Sequence, residues 1–201
     1  MILIGRNLSP FVRRSAASLN LLGLPYTQRA LSTVADAEAI RALNPLGRVP
    51  ALVLEDGEVL VDSAAILDAL DEMAPDRALV PRAGPARRAV LRALAIATGA
   101  TEKLVATYYE SRRPAEWLWP ENQARLASQA QAGFAALDRM AESDAWLCGE
   151  SLTQADVTAV AGFDFAAMVL PQLVDGRFPA LTALRDRANA IPAIGGTRWQ
   201  G

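Results

Sequence analysis

Along this chain of 201 residues the hydrophobic positions follow two different regimes. Over residues 1–78 the period switches repeatedly. Ile2-Leu3-Ile4 is a short apolar run with β-branched content, which predicts a buried strand. Ser9-Pro10 then opens a helical spacing of Val12, Ala16, Leu19 and Leu22. Ser suits the N-cap and Pro the first helical position. Gly23 fits the position just past the last turn, and Pro25 prevents continuation. Residues 26–31 predict a second strand, and residues 36–43 a short helix ended by Asn44-Pro45. Residues 51–54 and 59–61 flank Glu55-Asp56-Gly57-Glu58, a hairpin signal with Asp-Gly at the turn. Residues 63–73 place Ile66, Leu67, Leu70 and Met73 on one helical face. The predicted order is β-α-β-α-β-β-α.

Residues 75–85 carry three prolines, Gly84 and few apolar side chains, the composition of a linker. No strand signal follows. Residues 86–112 and 121–141 are long Ala-rich helical stretches, residues 153–170 a very apolar helix, and residues 181–190 another helix. Thr153 and Asp156 stand three apart at the start of the apolar helix, a capping box with Asp in place of Glu. Leu152 and Val157 occupy the staple positions around it. That segment is read as nucleating a helix and doing no chemistry.

Composition narrows the function. Hydrophobic residues at 52% and charged residues at 21% describe an ordinary globular protein rather than a disordered one. Histidine is absent. This removes histidine-based triads, histidine acid–base catalysis and almost every zinc or iron ligand set, so no metal is expected. The single cysteine, Cys148, excludes an internal disulfide framework and any CxxC motif. The lack of disulfides suits a reducing compartment, and a cytoplasmic location is expected. A net charge of −2 offers no basic patch for nucleic acid. The apolar start of the chain is too short for a signal peptide. The longest apolar stretch, residues 157–170, contains Asp164 and falls short of the ~20 residues a membrane span needs. All but one of the 20 basic residues are Arg, a bias read as base composition.

Three segments of the first half sit at junctions where an α/β sheet usually binds ligands: Ser9-Pro10-Phe11-Val12-Arg13-Arg14, Asn44-Pro45-Leu46-Gly47-Arg48-Val49-Pro50 and Val61-Asp62-Ser63. Ser9 lies in the positive field of a helix N-terminus, which suits an anion such as a thiolate, although the segment alone is the commoner pattern of a plain N-cap. Ser63 is expected to cap the third helix, whose free N–H groups would hold a carboxylate, with Asp62 beside it to pair an ammonium. A capping pair explains the same two residues. Val49-Pro50 precedes a strand; a cis bond there would leave the Val49 backbone free for a ligand, whereas an ordinary strand-start proline is the alternative. Arg48 is either a second carboxylate partner or a solvated surface side chain.

These three segments, in this order and on this pattern, followed by an all-helical half, resemble the glutathione S-transferase family. Trp146-Leu147-Cys148-Gly149-Glu150-Ser151-Leu152-Thr153-Gln154-Ala155-Asp156 is similar to the segment that opens the central buried helix of that family's second domain. The resemblance implies an α/β thioredoxin-like glutathione-binding domain over residues 1–78, a linker over 79–85 and an all-α helical domain over 86–201. It implies that Ser9 hydrogen-bonds the glutathione sulfur as the catalytic residue. Val49, with Pro50 cis, would bond the cysteinyl backbone. Asp62 and Ser63 would hold the γ-glutamyl ammonium and carboxylate, and Arg48 the glycine carboxylate. Phe11 and Arg14 would lie near the sulfur and the glutamyl end.

Charge agrees with that assignment. Glutathione with a neutral thiol carries two carboxylates and one ammonium; Arg48, the helix start at Ser63, and Asp62 supply one complement to each. A thiol of pKa ~8.5 falls near a helix N-terminus, and a serine hydroxyl stabilises the thiolate by donating to it. Glutathione is thus a co-substrate, and no cofactor is expected. The second substrate is expected to be a small apolar electrophile, with Thr107, Tyr108, Arg112 and Trp117 or Trp119 as candidates for its pocket. Packing explains those aromatics equally. A homodimer is expected. Ser-Pro-Phe is close to the Cys-Pro-Phe of thiol-transferring classes, so a disulfide reductase or dehalogenase remains an alternative to conjugation, as does a non-catalytic glutathione-binding adaptor.

Overall fold

The computed structural model describes residues 1–143 and 145–200. The chain divides into two compact units, Met1–Val80 with Asn189–Gly201, and Pro81–Ala188. The first unit holds strands β1 (Ile2–Ile4), β2 (Thr27–Arg29), β3 (Ala51–Val53) and β4 (Val59–Val61) with helices α1 (Pro10–Leu22), α2 (Ala37–Leu43) and α3 (Ser63–Met73). The sheet order is β2-β1-β3-β4. β1 runs parallel to β2 and antiparallel to β3, and β3 pairs antiparallel with β4. This is the thioredoxin-like pattern expected.

Alternation divides the two faces of the sheet. Ile4 and Ala51, directly paired, pack with Ile40 of α2, joined by Val49, Val59 and Val61. Leu3 and Leu52, the neighbouring pair, point the other way and are fully buried. Helices α1 and α3 pack against each other and against the sheet. Of the four residues expected on the inner face of α3, Ile66, Leu67 and Leu70 are buried, but Met73, in the last turn, is 42% exposed. Helix α1 begins and ends as its sequence dictates. Ser9 is its N-cap, and Gly23 takes the left-handed conformation at its C-terminus. Asp71 of α3 accepts from the N–H groups of Leu79 and Val80, which pins the start of the linker to the helix.

The second unit contains α4 (Gly84–Glu110), α5 (Pro120–Met140), α6 (Gln154–Val169) and most of α7 (Pro179–Asn189). Helix α4 packs along both α5 and α6. A Cβ on Gly162 would collide with Thr101 Oγ1, so the α4–α6 contact is closer than any larger residue allows. In this core Phe163 meets Phe134 and Phe178 edge to face, and Phe134 and Phe178 lie tilted to each other. Asp156 closes the predicted capping box on α6: it accepts from the Thr153 N–H and hydroxyl, both at 2.8 Å, and from the Leu147 N–H at 2.8 Å. No helix among the described residues is long and apolar enough to cross a membrane.

The end of the chain departs from the expected span of 86–201 for the second domain. Residues 189–201, with the short helix α8 (Pro192–Gly195), belong to the first unit. Buried Arg13 of α1 donates to Asn189 Oδ1 (2.8 Å) and Thr197 Oγ1 (3.4 Å), and Asn20 donates to the Ala193 carbonyl. A buried guanidinium needs such acceptors, and the tail supplies them.

Candidate functional site

The site begins where β1 ends. Gly5 continues the parallel pairing by donating to the Arg29 carbonyl, then turns with φ of 121°. A Cβ there would stand 2.6 Å from Val12 Cγ2 and 2.9 Å from Val49 Cβ. Only glycine therefore lets α1 and the loop before β3 meet at this point. Gln28 holds the turn, donating to the Gly5 carbonyl and to Asn7 Oδ1, each at 2.8 Å. Ser9 follows, half-buried, with its Oγ accepting from the Val12 N–H at 3.5 Å. That cap is long for a hydrogen bond, and the hydroxyl proton has no partner among the described residues.

A cleft of about 110 Å³ brings together Phe11 of α1, Arg48, Val49 and Pro50 of the loop before β3, and Asp62 and Ser63 at the head of α3. All six are residues the sequence singled out. The Val49–Pro50 bond is cis. Asn44, Leu46 and Val61, which lie within the segments singled out but were given no role of their own, complete the lining. Asn44 is buried and shapes the loop: its Nδ2 donates to the Arg48 carbonyl at 2.9 Å and its Oδ1 accepts from the Leu46 N–H at 3.0 Å. In the sequence Asn44-Pro45 signals a helix end and the start of a candidate segment, with no task for the Asn44 side chain. A buried amide that bridges its own following loop is the signal that composition hides. Ser9 and Arg14 are not among the cleft-lining side chains.

At the head of α3 the cap differs from expectation. Asp62, not Ser63, is the N-cap; its Oδ1 accepts from the Ala64 N–H at 3.1 Å and from the Ser63 hydroxyl at 3.1 Å. Ser63 is the first helical residue and fully buried. Aspartate and serine cap about equally well, but an aspartate cap leaves its second oxygen without a hydrogen bond. Burial pushes the Asp62 carboxyl up, but the bonds from Ala64 and Ser63 and the nearby Arg48 and Arg14 guanidinium groups outweigh it and hold the carboxyl below the usual range. Arg14 is buried rather than in the cleft; its Nη2 and Nε donate to Ser63 Oγ at 2.7 and 3.2 Å. Apart from that of Ala64, spent on the Asp62 cap, the first-turn N–H groups of α3 point out of the helix start, where an anion is favoured.

The second-half candidates lie at the C-terminal end of α4 and just beyond it. Thr107 is buried and spends its hydroxyl on the Lys103 carbonyl. Tyr108 packs edge-on against Phe165 of α6 with ring centres 5.7 Å apart, and the Arg112 guanidinium lies 5.2 Å above its ring. Trp117 closes a short 3-10 turn, and both it and Trp119 are exposed. Buried Glu110 accepts from the Trp119 N–H at 3.3 Å and pairs with Arg113 at 3.2 Å, fastening this loop. Burial and the charge of Asp156 push the Cys148 thiol up, which makes it a poor nucleophile at neutral pH. Among the described residues no group of three acidic, cysteine or histidine side chains is placed to hold a metal.

Fold and cleft together define a thioredoxin-like unit that offers one carboxylate, one exposed guanidinium and a helix N-terminus to a small ligand, joined to a helical unit. The family description "Glutathione S-transferase, N-terminal domain" matches residues 3–78, and "Glutathione S-transferase, C-terminal domain" matches residues 96–192. A maleylacetoacetate isomerase of Pseudomonas aeruginosa is 31% identical over 188 residues, covering 90% of this chain and 87% of that one. A glutathione S-transferase of Methylobacterium radiotolerans, solved in complex with glutathione sulfonate, superposes with a TM-score of 0.93 at 26% identity, covering 100% of this chain and 96% of that one. A glutathione S-transferase of Methylobacillus flagellatus with glutathione bound superposes with a TM-score of 0.91 at 27% identity, covering 98% of each chain. The chain belongs to the glutathione S-transferase family and is by class a glutathione transferase.

Proposed function

We propose that the cleft of the first unit binds glutathione, that Ser9 stabilises its thiolate, and that the thiolate adds to a small apolar electrophile. The observation that carries this reading is the complementarity at the cleft. Glutathione brings two carboxylates and one ammonium; Asp62 keeps an ionised oxygen for the ammonium, the N–H groups at the head of α3 suit one carboxylate, and exposed Arg48 suits the other. The two readings of Ser9 are compatible. Its oxygen accepts from Val12 as a cap while its proton is spare to donate to a sulfur anion. A hydrogen bond to the thiolate favours the charged form and so lowers the thiol pKa. The thiol proton passes to water, so no side-chain base is required. Glutathione acts as co-substrate, with no further cofactor, in a cytoplasmic homodimer whose mass sedimentation would measure.

Retention on immobilised glutathione, followed by turnover of an aryl halide, tests this reading. Binding with thioether formation supports it; binding without turnover of any electrophile favours an adaptor, and turnover of disulfides alone favours a reductase. A second reading rests on the Pseudomonas isomerase relative. There the thiolate would add to a cis-alkene acid, allow rotation about the resulting single bond and then be eliminated. Glutathione is consumed mole for mole in conjugation and left unconsumed in isomerisation, so a glutathione balance separates the two.

A further inference from the structure

We propose that Arg14 is a positioning residue for the ligand's ammonium group: from beneath the cleft it fixes the direction of the Ser63–Asp62 hydrogen bond and so keeps Asp62 Oδ2 as a bare acceptor. This rests on the reading that the cleft takes glutathione. Arg14 is only 3% exposed, and two of its N–H groups converge on one atom, Ser63 Oγ, at 2.7 and 3.2 Å. A guanidinium donates and never accepts. A serine hydroxyl has two acceptor sites and one proton. With both acceptor sites filled by Arg14, the proton must go elsewhere, and the acceptor within reach is Asp62 Oδ1 at 3.1 Å. The hydroxyl of Ser63 is then fully committed and has nothing to donate to a ligand carboxylate.

The consequence falls on Asp62. Its Oδ1 is saturated by the Ser63 hydroxyl and the Ala64 N–H, while Oδ2 has no hydrogen bond among the described residues. The charged groups acting on Asp62 are Arg14 from α1 and Arg48 from the loop before β3. β4 is wholly apolar and the first turn of α3 carries no charge. Phe11, which lines the cleft, stands 5.4 Å from the Arg14 guanidinium with its ring against it. Arg14 itself is not among the cleft-lining side chains, so it acts on a ligand through Ser63 and Asp62. Lysine cannot replace it, because one ammonium does not present the two parallel N–H groups that fill both sites of the hydroxyl.

The test compares Arg14→Gln, Arg14→Lys and Ser63→Ala with the wild type in two measurements. The first is the titration of the Asp62 carboxyl carbon by NMR in the ligand-free protein. It is expected to move upward in all three variants. The second is steady-state kinetics, in which KM for glutathione is expected to rise about ten-fold or more, the scale of one charge-assisted hydrogen bond. The value of kcat at saturating glutathione is expected to hold. The Arg14→Gln, Ser63→Ala double variant is expected to be no worse than Ser63→Ala alone, since both break one chain. If the Arg14 variants fail to fold, Ser63→Ala breaks the same chain at its middle and decides by the same titration. A wild-type protein that does not bind glutathione overturns the reading of the cleft. An Asp62 titration that stays in place in Ser63→Ala and in the folded Arg14 variants, in a protein that does bind glutathione, overturns the positioning role alone.

Discussion

Helices α1 and α3 of the first unit and α6 of the second all start with a polar side chain at the cap, yet the three starts are finished differently. At α6 everything is spent. Asp156 is fully buried, and its two oxygens take three hydrogen bonds at 2.8 Å. At α1 the Ser9 cap is a single 3.5 Å contact with the hydroxyl proton left over, and at α3 Asp62 caps with one oxygen and keeps the other. A start that only nucleates a helix saturates its groups; the two in the first unit keep a donor and an acceptor in reserve. The same residue types at the same helix position thus carry different work, and what distinguishes them is the hydrogen-bonding capacity left over.

The largest expected effect breaks the saturated start. Asp156→Ala leaves the Leu147 and Thr153 N–H groups buried without partners, at a cost of about 3 kcal/mol in unfolding free energy. A urea titration with unchanged slope checks this, and glutathione affinity of the folded fraction is expected to hold. An affinity that collapses with the melt unmoved would place Asp156 in the chemistry. Next is the reserve proton. Ser9→Ala is expected to lower conjugation by about 2 kcal/mol in kcat/KM and to raise the bound thiol pKa while glutathione still binds. Thermal stability is expected to fall by no more than about 1 kcal/mol, because the cap it loses is weak. Ser9→Cys gives a thiol at a helix N-terminus; offered oxidised glutathione, its thiolate is expected to attack the disulfide, expel one glutathione thiolate and leave a mixed disulfide seen as a mass increase that reductant reverses.

Much of this contrast was legible in the chain. The order of strands and helices, the cap at Ser9 and the box at Thr153 and Asp156 follow from local patterns, because each is set by neighbours within a few positions, whereas the six cleft residues lie in junction segments whose roles only the family resemblance assigned. What escaped depends on distance in sequence. Arg14 reads as a ligand contact near the glutamyl end until Ser63, 49 positions on, is seen to receive its guanidinium. Gly5 reads as the end of a strand until Val49 closes against it. The cap of α3 falls one residue early because Asp and Ser are both good N-caps and spacing does not choose between them. The tail reads as more of the helical half because nothing in it names Arg13 as its partner.

Smaller again is the effect of removing the reserve acceptor. Asp62→Ala is expected to weaken glutathione binding by about 1.5 kcal/mol, measured by titration calorimetry, since one ammonium loses its charged partner. Asp62→Asn keeps a cap oxygen for Ala64 but not the charge. It is therefore expected to recover most of the stability lost by Asp62→Ala and little of the affinity. Equal affinity in the wild type and both variants would remove Asp62 from the ligand site and leave it a cap like any other.

The smallest effect lies in the acid limb of stability, where the two aspartates should oppose each other. At Asp62 the carboxyl titrates below its ordinary value, since two hydrogen bonds and two guanidinium groups outweigh its burial. Its contribution to stability is present above the ordinary aspartate range and is lost as pH falls through its folded value. At Asp156 burial outweighs the bonds from Leu147 and Thr153 and pushes the carboxyl up. The folded protein then binds that proton more tightly than the unfolded chain does. Its contribution is greatest in the acid form and declines as pH rises from the ordinary range through the raised folded value. Asp62→Asn should accordingly flatten the loss of stability on acidification, and Asp156→Asn should steepen it. Both are read as differences from wild type in melting temperature across the acid range. Two variants that shift the curve in the same direction would mean that at Asp156, as at Asp62, the accepted hydrogen bonds outweigh burial, and the opposition between the two aspartates would fail.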